Sequence, residues 1–341
     1  MELESSPRSL THVRGRAIFH WRSRVLRIYQ HFRLKLSGLI SCYPRRQDLR
    51  KNSHVSREFD YEQAFSRNIG WVTRAEQQSL RTKRIAIAGL GGVGGAHLIT
   101  LARLGVGAFN LADFDTFDVP NINRQTAAGV QNLGRRKTDV LCEMALDVNP
   151  GLQLKVFPEG VAEKNLGAFL DGVDLYVDGL DFFAFSARAM VFAECAKRGV
   201  PATTVAPLGM GAALLNFLPG RMTFEQYFGW QGCTESEMAL RFLIGLAPAG
   251  LHGNYLVDPA AIDLKAHRGP STSMACALCA GVAGTQALKI LLKRGPVLAA
   301  PHGLHFDAYR NKMVTTWRPW GCRNPLQRIA LSIARRKMGN L

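Results

Sequence analysis

The tract that most restricts this chain is Gly89-Leu-Gly91-Gly92-Val-Gly94-Gly95, which directly follows the apolar run Arg84-Ile-Ala-Ile-Ala. A buried strand that ends in clustered glycines and resumes as a helix makes a tight strand–turn–helix unit. Glycines at such a turn let backbone N–H groups approach a phosphate, at the positive end of the helix dipole. The chain then alternates. Helices are expected over 92–104, 134–148, 162–170 and 183–198, and strands over 108–114, 152–157, 174–178 and 201–205. This order predicts an α/β fold: a doubly wound, mainly parallel Rossmann-like sheet with helices on both faces.

Beyond Pro207 the regularity fades, and residues 220–271 show no assignable pattern. A long, mostly apolar helix is expected over 274–293, short strands over 305–307 and 313–317, and an amphipathic basic helix over 325–337. The two ends are unusual. Residues 1–56 are rich in arginine, with Ile18, Trp21, Val25, Ile28, Tyr29 and Phe32 at helical spacing among Arg22, Arg24, Arg27 and Arg33. From Tyr309 onward there is no Asp or Glu. We therefore expect a basic N-terminal extension (1–56), a catalytic domain (57–320, with 220–271 as an irregular insertion or crossover segment) and a basic C-terminal helix (321–341).

The formal net charge of +17 predicts attraction to something anionic, whether nucleic acid, an acidic protein, a membrane surface or a nucleotide. Seven cysteines, odd in number and widely dispersed, do not make a secreted disulfide framework. Met1-Glu2-Leu3-Glu4 opens no signal peptide, and no uninterrupted apolar run reaches the roughly 18 residues of a spanning helix. The expectation is a cytoplasmic protein without a membrane span.

Asp113 stands 24 positions after Gly89, at the end of the next strand, a suitable place to bind ribose hydroxyls. A nicotinamide dehydrogenase would show as much. The next segment does not suit a dehydrogenase: Asp113-Phe-Asp115-Thr-Phe-Asp-Val-Pro-Asn121-Ile-Asn123-Arg124-Gln125, then Lys137 after Gly134-Arg135-Arg136. A guanidinium and an ammonium beside a phosphate turn serve an enzyme that displaces pyrophosphate, because negative charge gathers on the departing group.

With these parts in this order, the sequence resembles the ThiF/MoeB/HesA family, relatives of the ubiquitin-activating enzymes, over about residues 58–219 and more loosely to Lys293. The resemblance implies adenylation of a carboxylate with ATP and Mg2+. Gly89, Gly91 and Gly94 would be phosphate-loop glycines, Asp113 the ribose ligand with Asp115 beside it, and Asn121, Arg124 and Lys137 the polyphosphate set. Asp181, in Val177-Asp178-Gly-Leu-Asp181, would hold magnesium. Arg67, in Phe65-Ser-Arg67-Asn-Ile, would reach the nucleotide of the opposite subunit, which implies a homodimer. The acyl substrate would be a small protein or peptide C-terminus. The threonylcarbamoyladenosine dehydratases within the family suggest tRNA as the alternative, and a partner subunit without turnover is a third reading.

Simpler roles stand beside these. Gly94 and Gly95 suit close helix–strand packing, Asn121 and Asn123 suit a turn after Pro120, and Asp178 suits a strand-end acceptor. Many family members hold structural zinc through two Cys-x-x-Cys pairs. Here only Cys276-Ala-Leu-Cys279 exists, so zinc is expected to be absent and the pair to be buried helical thiols. Cys233 is a candidate thioester nucleophile or an incidental cysteine, and Cys195 is expected in the core.

Overall fold

The structure, a computed structural model, describes residues 58–263 and 266–339. The expected basic extension (1–56), its helical pattern and Cys42 lie outside the described residues. The chain divides into two units, and the larger one holds Phe59 and the described residues after it.

Within the larger unit, helices α1 (Tyr61–Ala64) and α2 (Arg74–Arg81) lead into strand β1 (Arg84–Ala88). The chain continues through α3 (Gly92–Arg103), β2 (Ala108–Ala112), α4 (Lys137–Val148), β3 (Gln153–Phe157), α5 (Glu163–Phe169), β4 (Leu175–Asp178), α6 (Phe185–Arg198) and β5 (Ala202–Leu208). It then forms β6 (Gly211–Phe217), α7 (Phe224–Phe228), α8 (Glu235–Leu246), α9 (Ser273–Leu291), β7 (His302–Asp307), β8 (Lys312–Trp317) and α10 (Pro325–Gly339). All eight strands join one sheet in the order β3-β2-β1-β4-β5-β6-β7-β8. The first five are parallel, and β6, β7 and β8 are antiparallel additions.

Strand periodicity sorts the core into two layers. In β1, Ile85 and Ile87 face one side, with Leu98, Leu101, Val140, Leu141, Ala283 and Ala287 from α3, α4 and α9. Ala86 and Ala88 face the other, which α5 to α8 cover with Phe169, Phe192, Phe224, Phe228 and Phe242. The expected doubly wound architecture is present.

Three expectations need correction. The helix expected over 134–148 begins at Lys137, because Gly134 takes φ +78° and Arg136 is an extended N-cap. The strand expected over 201–205 runs on to Leu208 and returns through Gly209, at φ +62°, as β6. Residues 220–271 are not patternless. They hold α7, opened by a Thr223–Gln226 capping box, and α8, whose N-cap Thr234 accepts from the Glu237 N–H.

Helix α9 is long and apolar enough to cross a membrane by length and composition, although no such stretch was expected. Half of it is buried within the protein, and the helix packs on α3, β5 and β6. It serves as the core helix of one layer.

At the end of β4, Asp178 is buried and paired with buried Arg188 of α6, Nε to Oδ2 2.8 Å. Thr204 Oγ1 and the Tyr176 hydroxyl donate to the same carboxylate, and the Arg188 guanidinium also donates to the carbonyls of Leu180, Asp181 and Phe182. Removing one partner leaves an uncompensated buried charge. Arg188→Ala should therefore cost about 3–5 kcal/mol in urea denaturation.

His97 of α3 is fully buried and neither ring nitrogen has a hydrogen-bond partner among the described residues. Burial lowers its pKa to about 4, with Asp178 opposing. Between about 6.5 and 4 the unfolded chain binds the proton and the folded chain does not, so stability falls as pH falls through that window. The loss should be on the order of 3 kcal/mol, and His97→Leu should flatten this part of the pH profile in thermal unfolding.

Candidate active site

β1 lies between β2 and β4, so the sheet order reverses there and a crevice opens at the carboxyl ends of the strands. Gly89 leaves β1 at φ +80°, a conformation that side chains resist. The turn is tied to β2: the Leu90 N–H donates to Asp113 Oδ2 at 2.6 Å, and the Asp115 N–H donates to Asp113 Oδ1 at 2.8 Å. Burial pushes the Asp113 carboxyl up, opposed by these two hydrogen bonds and by Lys137. Each carboxylate oxygen retains a lone pair for a ribose hydroxyl.

The glycines have different duties. A Cβ on Gly94 would stand 1.8 Å from the Gly89 carbonyl oxygen, and one on Gly179 would stand 2.3 Å from the same atom. These two residues let α3, β1 and the loop after β4 meet backbone to backbone, so the packing role weighed for Gly94 is real. Gly91 differs, since a Cβ there would meet only Gln125 Nε2, at 3.7 Å. Its surroundings are open.

The cations lie around this turn. Lys137 opens α4 with a nearly buried side chain, and its Nζ pairs with half-exposed Asp115 at 2.8 Å. Arg124 lays its stem beside Gly92, and its Nη1 donates to the Pro120 carbonyl and Asn123 Oδ1. Cys276 also flanks Gly92, its Sγ 3.0 Å from where a Cβ would stand. Gly284 of α9 likewise faces Thr100 of α3, so the two helices run side by side in the same direction. The N-caps of α3, α4 and α9 make no side-chain cap hydrogen bond; at α4 the Lys137 N–H donates to the Asp115 carbonyl, while the first turns of α3 and α9 keep N–H groups for a ligand.

Asp181 is exposed on the loop after β4, two residues beyond Gly179. Its Oδ1 accepts from the Phe183 N–H, and the other oxygen carries no hydrogen bond among the described residues. No group of three or more His, Cys, Asp or Glu able to hold a metal occurs among the described residues. A single free carboxylate oxygen still fits magnesium, which takes one or two carboxylates plus phosphate oxygens.

Two expected residues make no hydrogen bond to the glycine turn of their own chain. Asn121 is a turn residue whose Oδ1 accepts from the Asp118 N–H at 3.0 Å, and no hydrogen bond joins its side chain to the glycine turn. Arg67 is exposed beside Asn68, whose amide donates to the Leu104 carbonyl. That carbonyl marks the far end of α3, so Arg67 does not join the glycine turn of its own chain.

Gln125 is a site residue that sequence reasoning missed. It is only 7% exposed beside Gly91, with Oε1 unpartnered among the described residues, and its place next to Arg124 was the available signal. Cys276 and Cys279 are free buried thiols of α9, both pushed up by burial. Cys195 lies in the core as expected. Burial also raises the Cys233 thiol, with Arg241 opposing, and that thiol donates to the Gly229 carbonyl.

A doubly wound sheet with a glycine turn, a strand-end aspartate and paired cations at its switch point defines an α/β protein with a candidate nucleotide site there. The chain belongs to the ThiF family, whose model matches residues 65–327. It is 33% identical over 150 residues to the tRNA threonylcarbamoyladenosine dehydratase of Bacillus subtilis (strain 168), covering 44% of this chain and 57% of that protein. It is 26% identical over 227 residues to the probable adenylyltransferase/sulfurtransferase MoeZ of Mycobacterium tuberculosis, covering 65% of this chain and 51% of that one. The chain thus spans a little over half the length of these relatives. Among solved structures, E. coli MccB with AMPCPP and MccA superposes with a TM-score of 0.53 at 18% identity, over 71% of this chain and 65% of that one.

Gly94→Ala drives a Cβ into backbone and should cost about 3 kcal/mol or more in denaturant unfolding. Gly91→Ala should change stability by no more than about 1 kcal/mol while weakening nucleotide binding at least about tenfold in titration calorimetry, because the added methyl would make only an ordinary contact with Gln125 Nε2 and would otherwise face the ligand.

Proposed function

We propose that this chain is an ATP- and Mg2+-dependent adenylyltransferase, with residues 57–320 as its catalytic domain and a protein or peptide C-terminal carboxylate as its substrate. The carrying observation is the placement of Arg124 and Lys137 around the Gly89–Gly92 turn. A triphosphate laid over that turn meets uncapped helix N-termini together with two cations, a field suited to the charge that grows on departing pyrophosphate. Magnesium, when bound, supplies further neutralisation of phosphate charge, and Asp181 is the residue that would hold it. Asp113 would fix the ribose. Asp115 holds the Lys137 ammonium in place before the nucleotide arrives.

In this reading a carboxylate oxygen of the substrate attacks the α-phosphorus in line. An acyl–phosphate bond forms as the bond to pyrophosphate breaks, and no covalent enzyme intermediate is required. MoeZ, named a probable adenylyltransferase, and MccB, crystallised with an ATP analogue, support the reaction class.

A second reading is activation of a carboxylate on tRNA, favoured by the 33% match to a tRNA dehydratase and by the +17 charge. The test is pyrophosphate exchange with candidate peptides and with tRNA under otherwise equal conditions. Exchange that requires tRNA, or NADH binding tighter than ATP, would overturn the leading proposal. Arg124→Ala, Lys137→Ala and Asp181→Ala should each lower exchange roughly a hundredfold or more with circular dichroism unchanged.

Arg67 enters through a second copy in this reading, since it stands away from its own glycine turn. Mixing inactive Arg67→Ala and Asp181→Ala chains should then restore part of the exchange activity. Mixtures as inactive as either variant alone would remove Arg67 and the shared site.

A further inference from the structure

Helix α10 presents two different faces. Gln327 and Leu331 are buried on one, where the helix packs on α8 and the 3-10 turn Gly321–Arg323, and Arg335 pairs with Glu237 of α8. The other carries Leu326, Ile329 and Ile333, which are 62%, 57% and 51% exposed. Their spacing of three and four residues aligns them as one stripe. Nothing among the described residues covers them.

The charge that α10 and the segment leading into it carry is of one sign. The exposed side chains of Arg323, Arg328 and Arg336 make no hydrogen bond or ion pair among the described residues, and no acid occurs between residues 309 and 341 to neutralise them. Arg336 follows Ile333 by three residues and continues its face. Trp317 and Trp320, 60% and 67% exposed, stand in the segment that leads into the helix. An aliphatic stripe on a helix that carries free guanidinium groups and no acid, preceded in the chain by two exposed indoles, has the composition of a helix that lies in the headgroup region of a lipid leaflet.

We propose that this face of α10 docks on an anionic membrane surface, with Leu326, Ile329 and Ile333 entering the acyl boundary and Arg323, Arg328 and Arg336 meeting lipid phosphates. Charge decides against the other occupants. A second copy would oppose like-charged arginines across a stripe of three side chains, far short of the ~800 Å² per partner of a stable dimer. The segment 1–56 of this chain is itself basic. Nucleic acid would engage the arginines and the indoles but would leave Leu326, Ile329 and Ile333 without an apolar partner.

The test uses the full chain and co-sedimentation with vesicles of phosphatidylcholine, with and without phosphatidylglycerol. Binding should require the anionic lipid and fall as salt is raised. The double variant Ile329→Asp/Ile333→Asp should bind at least about tenfold more weakly with thermal unfolding unchanged, because the stripe lies outside the folded core. Arg328→Glu/Arg336→Glu should weaken binding similarly. Three results would each overturn the proposal: equal binding to neutral vesicles, undiminished binding by the Ile329→Asp/Ile333→Asp variant, or retention on RNA with no retention on anionic vesicles. The second of these would place membrane attachment elsewhere in the chain, and the third would assign the basic face to nucleic acid.

Discussion

The structure depends on a close backbone contact. The Gly89 carbonyl is approached by Gly94 from helix α3 and by Gly179 from the loop after β4, so closely that a methyl on either would overlap it. This contact brings the first residues of α3 and the loop bearing Asp181 to one point, the place where the sheet changes direction. Asp113 then secures the turn from β2 through the Leu90 N–H. Without that approach the cations would flank nothing.

Support for the site comes from below as well. Asp178 ends β4 immediately before Gly179, and its pair with Arg188 anchors the loop through the carbonyls of Leu180, Asp181 and Phe182. A buried ion pair contributes little net stability compared with an apolar substitute. Its value here is positional: it fixes the path of the backbone that presents the Asp181 carboxylate to solvent.

Most of this was legible in the sequence, for physical reasons that also explain the exceptions. Parallel strands buried on both faces read as apolar runs, and the glycines and cations sit at element ends where local chemistry is explicit. The antiparallel half was harder. Strand β6 follows β5 through a tight turn, so the two merge into one apolar stretch broken by Pro207 and Gly209. Helix α7 is only five residues long, too short for periodicity to show, although Thr223-x-x-Gln226 marked its start. The pairing of Asp178 with Arg188 spans a loop and a helix turn, a distance that spacing does not reveal. Asn121 shows the converse, a motif residue whose side chain is engaged in its own turn.

The packing of α3 against α9 has a consequence for how this region can vary. The Cys276 sulfur and the Arg124 stem share the space left by the missing side chain of Gly92. Positions 92 and 276 are therefore coupled by volume: a methyl gained at the first needs room surrendered at the second, or the guanidinium is displaced from the turn. Substitutions tolerated here should arise as compensating pairs, and a design that alters one wall of the crevice must redraw the other at the same time.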